Sequence, residues 1–382
     1  MRQIFAIFTA KYTDMAIYIH QLPHWPRFTW NRESLSPLLA GIRSRQGRLL
    51  GRMEAMGFGL QAEANLQTLT LDVLKSSEIE GELLDADQVR SSIARRLGMD
   101  IGGLVPADRN VEGVVEMMLD ATQQYQQPLS ADRLYGWHAA LFPTGRSGIH
   151  KITVGAWRDN QQDDPMQVVS GAMGKEKVHF QAPDADRLDE EMGKFISWFN
   201  EDKDTDPVIK AAMAHLWFVT IHPFDDGNGR IARAITDMQL SRADESAQRF
   251  YSMSAQIRNE RKEYYEILES TQKGSMDITD WLTWFLHCLD RALESTTETL
   301  AVVMKKARFW EKHATTILNQ RQQHMLNKLL DGFVGKLNSS KWAKITKTSP
   351  DTALRDIQDL INKNILMKEA GGGRSTSYVL VD

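Results

Sequence analysis

The stretch IHPFDDGNGRIAR, residues 221–233, brings several chemically capable side chains together within thirteen positions. His222 has a near-neutral ordinary pKa and can take a proton from a hydroxyl group. Asp226 offers carboxylate oxygens of the kind that Mg²⁺ prefers when it bridges phosphates. Arg230 and Arg233, about one helical turn apart, provide forked donors for phosphate oxygens. A base, a metal ligand and a phosphate cradle together indicate nucleotidyl or phosphoryl transfer.

The neighbouring sequence predicts how this stretch is held. Asp206 and Pro207 are typical of a helix N-cap and first position, and the apolar segment that follows should be a buried central helix. Pro223 cannot extend that helix, so His222 should lie at its end and face a loop. Gly-Asn-Gly at 227–229 lets the backbone approach a ligand closely. It also leads into a second helix, whose N-terminus suits an anion.

HPFDDGNGRIAR resembles the signature of the Fic (filamentation induced by cAMP) family, H-P-F-x-[D/E]-G-N-G-R-x-x-R, at every defined position. Members of that family mostly transfer AMP from ATP to a Ser, Thr or Tyr hydroxyl of a protein and release pyrophosphate. The resemblance implies that His222 is the base and that Asp226 is the Mg²⁺ ligand. It implies these ATP-binding residues: Gly227, Asn228, Gly229, Arg230, Ile231, Ala232 and Arg233. Among them, Asn228 and the glycine amides would hold the α-phosphate, and the arginines the β- and γ-phosphates.

A second stretch, KSSEIEGE at 75–82, contains three glutamates near the end of a predicted helix. On a helical wheel Glu80 shares a largely apolar face, whereas Glu78 and Glu82 fall on the far side. That face is formed by Leu66, Leu69, Val73 and Ser77. A carboxylate there should be buried and should need a cationic partner, because unpaired burial is costly. A helix-end acid exposed to water is the alternative.

The same stretch resembles the inhibitory motif of the Fic family, [S/T]-x-x-x-E-[G/N], with Ser76, Glu80 and Gly81 at its defined positions. The resemblance implies that Glu80 pairs with Arg233 and denies that arginine to the γ-phosphate. ATP would then bind in a pose unsuited to in-line attack on the α-phosphorus. Because the motif precedes the core, the sequence predicts an N-terminal inhibitory helix at about 63–81. Glu80→Gly is predicted to raise AMP transfer.

Other aromatic and polar residues are weaker candidates for the pocket. Tyr264 and Tyr265 are adjacent, so only one of them can readily face a nucleotide. The helices that follow the core resemble those of Fic proteins, and on that basis Tyr265 is predicted near the adenosine. Trp217 is a second candidate, with core packing as its alternative. His215 is predicted to be a satisfied core histidine, and Cys288 an inert core thiol.

Composition places the chain among ordinary globular proteins. It has 382 residues, of which 42% are hydrophobic and 25% charged. The single cysteine excludes an intramolecular disulfide framework and fits a reducing cytosol, and no apolar run approaches membrane-spanning length. We therefore predict a cytoplasmic protein without membrane segments. The predicted fold is mainly α, with a Fic-type helical core, a β-hairpin flap and a C-terminal winged helix-turn-helix domain.

Periodicity and breaker residues divide the chain into four parts. The predicted parts are a leader at 1–14, with Met15 as an alternative start; an aromatic and proline-rich arm with a helical region at 15–107; a Fic core at 108–300; and a linker helix with a winged helix at 301–382. Within the part at 15–107, the arm should extend over 15–40 and helical periodicity over about 34–97. A hairpin predicted at about 166–180 matches the position of the family's flap, which holds a target peptide by strand addition.

The net charge of −4 hides an asymmetry between the two ends of the chain. From position 301 onward there are 14 Lys and Arg side chains against 7 Asp and Glu, whereas the preceding residues carry 32 against 43. Three short helices and a glycine-rich hairpin predict a winged helix here. Its second helix, 350–363, has Arg355 and Lys363 against the acids Asp351, Asp356 and Asp359. Its acidic N-terminal turn suits DNA poorly. The excess basic residues are elsewhere: Lys336, Lys341, Lys344, Lys347 and Arg374. DNA, another protein or a second copy of the chain all stay open as partners.

The leading functional hypothesis is a self-inhibited, Mg²⁺-dependent protein AMP-transferase that modifies a protein substrate, itself included. The oligomeric state stays open, and a homodimer is one alternative because similar proteins are often dimers. A second hypothesis is removal of AMP from a modified protein, with Glu80 orienting a water. A third is a DNA-binding regulator whose Fic domain only senses nucleotide; the intact His222 argues against it. Phosphorylation, seen in a Fic-related branch with a lysine-containing loop, is disfavoured because GNGR is intact.

Overall fold

The computed structural model describes residues 18–99, 101–161, 164–171, 177–369 and 376–381, apart from the side chains of 297–299. The predicted leader at 1–14 lies outside these ranges. Within them the α-helices are α1 (Arg32–Glu54), α2 (Phe58–Ile79), α3 (Ala86–Arg96), α4 (Arg109–Gln123), α5 (Ala131–Leu141), α6 (Leu188–Glu201), α7 (Pro207–Ile221), α8 (Asn228–Asp244), α9 (Met253–Asn259), α10 (Arg261–Gln272), α11 (Thr279–Lys312), α12 (Gln320–Leu330), α13 (Ser339–Ile345) and α14 (Pro350–Asn362). The strands are β1 (Arg146–Ser147), β2 (His150–Lys151), β3 (Gln167–Ser170), β4 (Lys177–Gln181), β5 (Leu366–Lys368) and β6 (Tyr378–Leu380). The mainly helical prediction is therefore confirmed. None of the helices in these ranges is long and apolar enough to cross a membrane.

The main hydrophobic core surrounds α7, which is buried along its whole length, as the apolar sequence predicts. Helix α8 packs along α7, and α4, α5, α6, α2 and α11 pack around this pair. The loop between α7 and α8 therefore lies between two elements that the core holds on several sides. Such support fixes a functional loop more firmly than a surface connection would.

The N-terminal region begins its helices earlier than predicted. Asn31 caps α1, because its Oδ1 accepts a hydrogen bond from the Ser34 amide at 3.1 Å. The extended arm predicted at 15–40 thus ends before Arg32, since an Asx cap outweighs the aromatic and proline-rich character of the preceding residues. The helical stretch predicted at 34–97 is divided into α1, α2 and α3.

The predicted boundary between core and C-terminal part, at 300/301, falls inside a helix. Helix α11 runs without interruption from Thr279 to Lys312, and its sequence contains neither glycine nor proline. It packs against α1, α2 and α9 and then continues toward α12. The helix continues across position 301 because the change in composition and charge there is not accompanied by a helix-breaking residue.

The C-terminal part has the predicted order of three helices followed by a strand pair. Strands β5 and β6 are antiparallel, with Leu366 opposite Leu380. Helices α12, α13 and α14 surround a separate hydrophobic cluster that includes Trp342, Ile357 and Leu360. The glycine-rich tip and Arg374 of the predicted hairpin lie outside the described residues.

The predicted hairpin at 166–180 is present in its two strands. Strand β3 pairs with β4 in antiparallel register, Gln167 opposite Gln181, with an irregularity between Val168 and Val169. Residues 172–176 between the strands lie outside the described ranges. Val169 and Val178 are 48% and 39% exposed, so the hairpin presents apolar side chains to solvent.

Candidate active site

The loop that carries the signature begins at the C-terminal end of α7. Asp206 caps the start of that helix by accepting from the Val208 amide at 2.8 Å. The helix ends at Ile221, and His222 adopts a left-handed conformation with φ of 52° while its amide still donates to Phe218 at 3.0 Å. This backbone turn places His222 at the junction of helix and loop, where Pro223 was predicted to leave it.

The surroundings of His222 keep its imidazole neutral. Burial lowers the pKa of His222 from 6.5 to about 4, and the Val219 carbonyl offsets only part of that change. The ring nitrogen Nδ1 lies 3.3 Å from this carbonyl, which can only accept, so Nδ1 carries the proton. Nε2 is then free to accept a proton from a hydroxyl group at neutral pH.

Asn228 fixes the shape of the loop. Its Oδ1 accepts from the Phe224 amide at 3.0 Å, and its Nδ2 donates to the Phe224 carbonyl at 2.7 Å. Both bonds are buried inside the loop, and Phe224 is buried in the core, where it anchors the loop. The Asn228 side chain would therefore help a phosphate mainly by holding the loop, rather than by donating to it directly.

Asp226 presents a partly exposed carboxylate at the centre of the loop. Its Oδ1 accepts from the Gly227 amide at 2.5 Å, and the Ser147 hydroxyl donates to its Oδ2. In the described ranges, no group of three His, Cys, Asp or Glu residues could hold a metal ion by itself. One carboxylate suits an Mg²⁺ ion that arrives with a nucleotide, because Mg²⁺ takes one or two carboxylates together with substrate phosphates and waters.

The stretch at 75–82 contacts the second arginine of the signature through three hydrogen bonds. Arg233 Nε donates to Ser76 Oγ at 2.9 Å, and its Nη2 donates to the Ser76 carbonyl at 2.9 Å. The same Nη2 lies 2.7 Å from Glu80 Oε1. The structure thus brings together the three residues that the resemblance links. Arg233 is 2% exposed, so its charge is almost fully removed from water.

The prediction that Glu80 is a buried carboxylate was wrong. Its side chain is 32% exposed, and the buried member of the pair is Arg233. The helical wheel assumed that α2 continues, but the helix ends at Ile79 and Glu80 is its C-cap, with ψ of 3°. The carboxylate therefore leaves the apolar face and reaches the start of α8 from the solvent side.

Glu82, which the helical wheel placed on the far side, also belongs to the site. Gly81 has φ of 86°, a left-handed conformation that redirects the chain after α2. Glu82 Oε2 then lies 2.7 Å from Arg230 Nη1. Glu78 stays away from the signature and pairs with Arg258 at 2.9 Å. Sequence reasoning missed Glu82 because the wheel does not apply beyond the end of a helix.

The aromatic candidates separate clearly. Tyr264 is buried, and its hydroxyl lies 2.8 Å from His215 Nε2, so His215 is a satisfied core histidine as predicted. Tyr265 is 39% exposed and is the tyrosine that faces solvent beside Glu80 and Arg233, whose charges act on its hydroxyl.

Trp217 is not brought to the site. It is 4% exposed and lies in an aromatic cluster with Trp25, Phe28, Phe195 and Trp198. The burial of Trp217 and its aromatic neighbours therefore agree with core packing, the alternative to nucleotide binding. Cys288 is buried, and burial raises the pKa of its thiol, as expected of an inert core cysteine.

Two further residues support the loop from outside the signature. His138 stacks on Phe224, with ring centroids 4.2 Å apart and planes within 8° of parallel, and burial lowers its pKa to about 4. Arg158 Nε donates to the His222 carbonyl at 2.8 Å, and its amide donates to the Pro223 carbonyl at 2.9 Å. Neither residue lies in a recognisable motif, so only their positions in the fold reveal them.

Comparison with known families finds two matching segments. Residues 18–99 match a family model described as a domain of unknown function (DUF4172), and residues 128–240 match the model of the Fic/DOC family. The second segment contains α7, the signature loop and most of α8. The first contains the stretch that pairs with Arg230 and Arg233.

Curated relatives are named protein adenylyltransferase Fic. The chain is 26% identical over 250 residues to the one from Culex quinquefasciatus, which covers 64% of this chain and 45% of that protein. It is 32% identical over 105 residues to the one from Drosophila grimshawi, which covers 27% of this chain and 20% of that protein. The chain therefore spans less than half the length of these relatives.

A solved structure extends the similarity in fold. The crystal structure of a Fic family protein from Desulfovibrio desulfuricans G20 superimposes with a TM-score of 0.50 at 19% identity, covering 94% of this chain and 98% of that chain. At this identity the match concerns the fold alone.

Proposed function

We propose that this chain, which carries a Fic/DOC family domain at residues 128–240, transfers AMP from ATP to a Ser, Thr or Tyr hydroxyl of a protein. The observation that carries the proposal is the composition of one loop and the helix turn after it. A neutral His222, a carboxylate at Asp226 and the buried guanidinium groups of Arg230 and Arg233 all belong to it. Relatives named protein adenylyltransferase Fic support the same activity.

In the proposed reaction the substrate hydroxyl oxygen attacks the α-phosphorus of ATP. The bond between that phosphorus and the bridging oxygen to the β-phosphate breaks, and pyrophosphate leaves. His222 Nε2 takes the hydroxyl proton, which its neutral state allows. The arginines would hold the β- and γ-phosphates, and the loop amides and the N-terminus of α8 would face the α-phosphate. Asp226 would hold the Mg²⁺ that accompanies ATP and neutralises developing charge.

The hairpin of β3 and β4 is proposed to hold the target segment. The apolar side chains of Val169 and Val178 are partly exposed. An added strand from the target would cover them, whereas in an isolated hairpin they face solvent. Strand addition uses mainly main-chain hydrogen bonds, so many sequences could bind. Within this proposal Tyr265, exposed near Arg233, would contact the adenosine.

The proposal includes inhibition by Glu80. Its carboxylate lies 2.7 Å from Arg233 and therefore occupies donors that a γ-phosphate would use. The Ser76 contacts hold Arg233 in place while Glu80 competes for it. Removal of the Glu80 side chain should free the guanidinium group without moving it.

The test is incubation with Mg²⁺ and ATP labelled at the α-phosphate. Wild type, Glu80→Gly and Glu80→Gly/His222→Ala would be compared for label on the protein itself and on lysate proteins. We expect strong label with Glu80→Gly, weak label with wild type and none with the double variant. Equal label in wild type and Glu80→Gly would contradict inhibition by Glu80, and label that survives His222→Ala would contradict the role of His222.

A second candidate function is removal of AMP from a modified protein. It is favoured by the partial exposure of Glu80, which leaves room for a water beside its carboxylate. In that reaction Glu80 would orient the attacking water, so Glu80→Gly would abolish activity rather than raise it. Release of AMP from a pre-modified protein by wild type, and its loss in Glu80→Gly, would support this alternative.

For the C-terminal part we propose a winged helix whose partner is a protein or DNA. The acids counted against DNA are partly engaged inside the module: Asp356 Oδ2 lies 2.7 Å from Arg321 Nε, and Asp359 Oδ2 lies 2.5 Å from Lys363 Nζ. A mobility shift at low salt that disappears on deletion of 315–382 would favour DNA. Absence of a shift would favour a protein contact, including one in a homodimer.

A further inference from the structure

Two acids from one short turn contact the two signature arginines. Glu80 lies 2.7 Å from Arg233, and Glu82 lies 2.7 Å from Arg230. Gly81 lies between the two acids and has φ of 86°. This left-handed turn allows each of the two carboxylates to reach a different arginine. Each arginine of the candidate phosphate site therefore already has one carboxylate partner.

The buried side of the same site still has unused donors. Arg230 Nε and Arg233 Nη1 are buried and have no hydrogen-bond acceptor among the described residues. The side chains of Arg230 and Arg233 are only 8% and 2% exposed. Buried donors without acceptors are costly, so this pair of guanidinium groups favours a ligand with several anionic oxygens.

We propose that Glu82 is a second inhibitory acid, which competes with the triphosphate of ATP for Arg230 while Glu80 competes for Arg233. The proposal rests on the proposed function only in naming ATP as the ligand. It predicts that the triphosphate must displace two carboxylates, one from each arginine. Release of Glu80 alone would leave the site half occupied.

Arg230 should keep its position when Glu82 loses its charge. The Phe142 ring lies against its guanidinium group, with 5.1 Å between Cζ and the ring centroid. Arg230 as a whole is only 6% exposed, so surrounding residues other than Glu82 also support its position. Glu82→Gln should therefore free a donor group that is already in place, which favours anion binding.

Glu78 provides a matched control on the same helix end. Its carboxylate lies 2.6 Å from Lys75 and 2.9 Å from Arg258, and neither cation belongs to the signature. Its side chain is 24% exposed, compared with 35% for Glu82. Glu78→Gln removes the same charge at nearly the same place without freeing an arginine of the candidate site.

The test is the affinity for Mg·ATP, and for tripolyphosphate as a probe of the phosphates alone, measured by calorimetry. Glu82→Gln and Glu78→Gln are both placed in His222→Ala, so that no turnover disturbs the titration. We expect roughly fivefold tighter binding of both probes with Glu82→Gln, the size that loss of one partly exposed ion pair would give. Glu78→Gln should bind as the parent does.

Unchanged or weaker binding with Glu82→Gln would overturn the proposal, because weaker binding would make Glu82 a support for Arg230. The unfolding temperatures of the two Gln variants show whether both are folded. Failure of the proposed function can be distinguished from failure of this proposal. It would leave the Glu80→Gly variant without AMP transfer, whatever the measured affinities for Mg·ATP and tripolyphosphate are. If AMP transfer does occur, Glu80→Gly/Glu82→Gln should show about a fivefold lower KM for ATP than Glu80→Gly, with kcat unchanged.

Discussion

Gly229 determines which groups can share the first turn of α8 with the two arginines. A Cβ at this position would lie 2.2 Å from Glu80 Oε1 and 3.2 Å from Arg233 Nη1. The absence of a side chain therefore gives an anionic oxygen access to the helix N-terminus. In this structure the oxygen belongs to Glu80, and in the proposed reaction a phosphate would take its place.

The titration of His222 is a prediction at this scale. Because burial lowers its pKa to about 4, the imidazole should stay neutral as the pH falls through 6.5 and should gain its proton only near pH 4. NMR of labelled histidine in the free protein, with His222 identified by loss of its signal in His222→Ala, measures this directly. A titration near 6.5 would mean that the ring is more hydrated than its surroundings here indicate.

The site residues that were predictable share one property: they are close together in sequence. The loop from His222 to Arg233 and the motif of Ser76 and Glu80 can be read from spacing and resemblance. Glu82 could not, because its position depends on the left-handed Gly81. His138 and Arg158 reach the loop only through the packing of distant segments, which spacing along one sequence does not encode.

Among the elements, α4 and α5 approach each other unusually closely at Gly113. A Cβ there would lie 1.8 Å from the Ala140 carbonyl oxygen, a backbone atom that cannot move aside cheaply. Gly113→Ala should therefore destabilise the protein by about 1–3 kcal/mol, as overpacking of a core does. The measurement is the free energy of unfolding of the variant, or the midpoint of its thermal transition, against the parent.

Gly136 in the facing helix is the control for this contact. It is exposed, and a Cβ there would meet no atom within 4 Å. Gly136→Ala should stabilise by about 0.5–1 kcal/mol, because alanine is the better helix former. If both variants shifted stability in the same direction, the close approach of α4 and α5 would be contradicted.

Helices and strands were predicted well where a single sequence pattern, such as a helix cap or an apolar run, was clear. The Asp-Pro start and apolar run of α7 and the strand pair of β3 and β4 agree with the sequence patterns. Helix ends were harder to predict: an Asn cap begins α1 inside the predicted arm, and α11 continues past position 301 because no residue there ends it. Helix ends depend on local caps, whereas domain boundaries depend on contacts that composition reflects only indirectly.

Across the whole molecule, the C-terminal part is attached to the helices that flank the stretch at 75–82. Lys306 of α11, whose side chain is 3% exposed, lies 3.0 Å from Glu63 of α2 and 2.8 Å from Asp331 beyond α12. Lys328 of α12 lies 2.6 Å from Asp87 of α3. The two hydrophobic cores are thus joined by buried and half-buried ion pairs.

Lys306→Met should weaken this attachment. The substitution keeps the apolar length of the side chain but removes its charge from two carboxylates, at a cost of about 1–3 kcal/mol. Burial alone would raise the pKa of Glu63, yet Arg90 and Lys306 hold it below its ordinary value of 4.5. The stabilisation that the folded protein gains from ionised Glu63 is therefore present above pH 4.5, and it is lost as the pH falls below that value.

The corresponding measurement is the difference in unfolding temperature between parent and Lys306→Met at neutral pH and near pH 4. We expect a clear difference at neutral pH that shrinks in acid. Lys305→Met, at the exposed neighbouring position, is the control and should be close to neutral. A difference that is the same at both pH values would rule out the ion cluster as its cause.

AMP transfer is tested most directly by comparing ATP labelled at two different phosphates. Glu80→Gly protein would be incubated with Mg²⁺ and ATP carrying its label at either the α- or the γ-phosphate, and label retained on protein would be measured. We expect retention of the α-label only, because the hydroxyl attacks the α-phosphorus and pyrophosphate leaves. Retention of the γ-label would contradict it, because the site would then transfer the terminal phosphate instead of AMP.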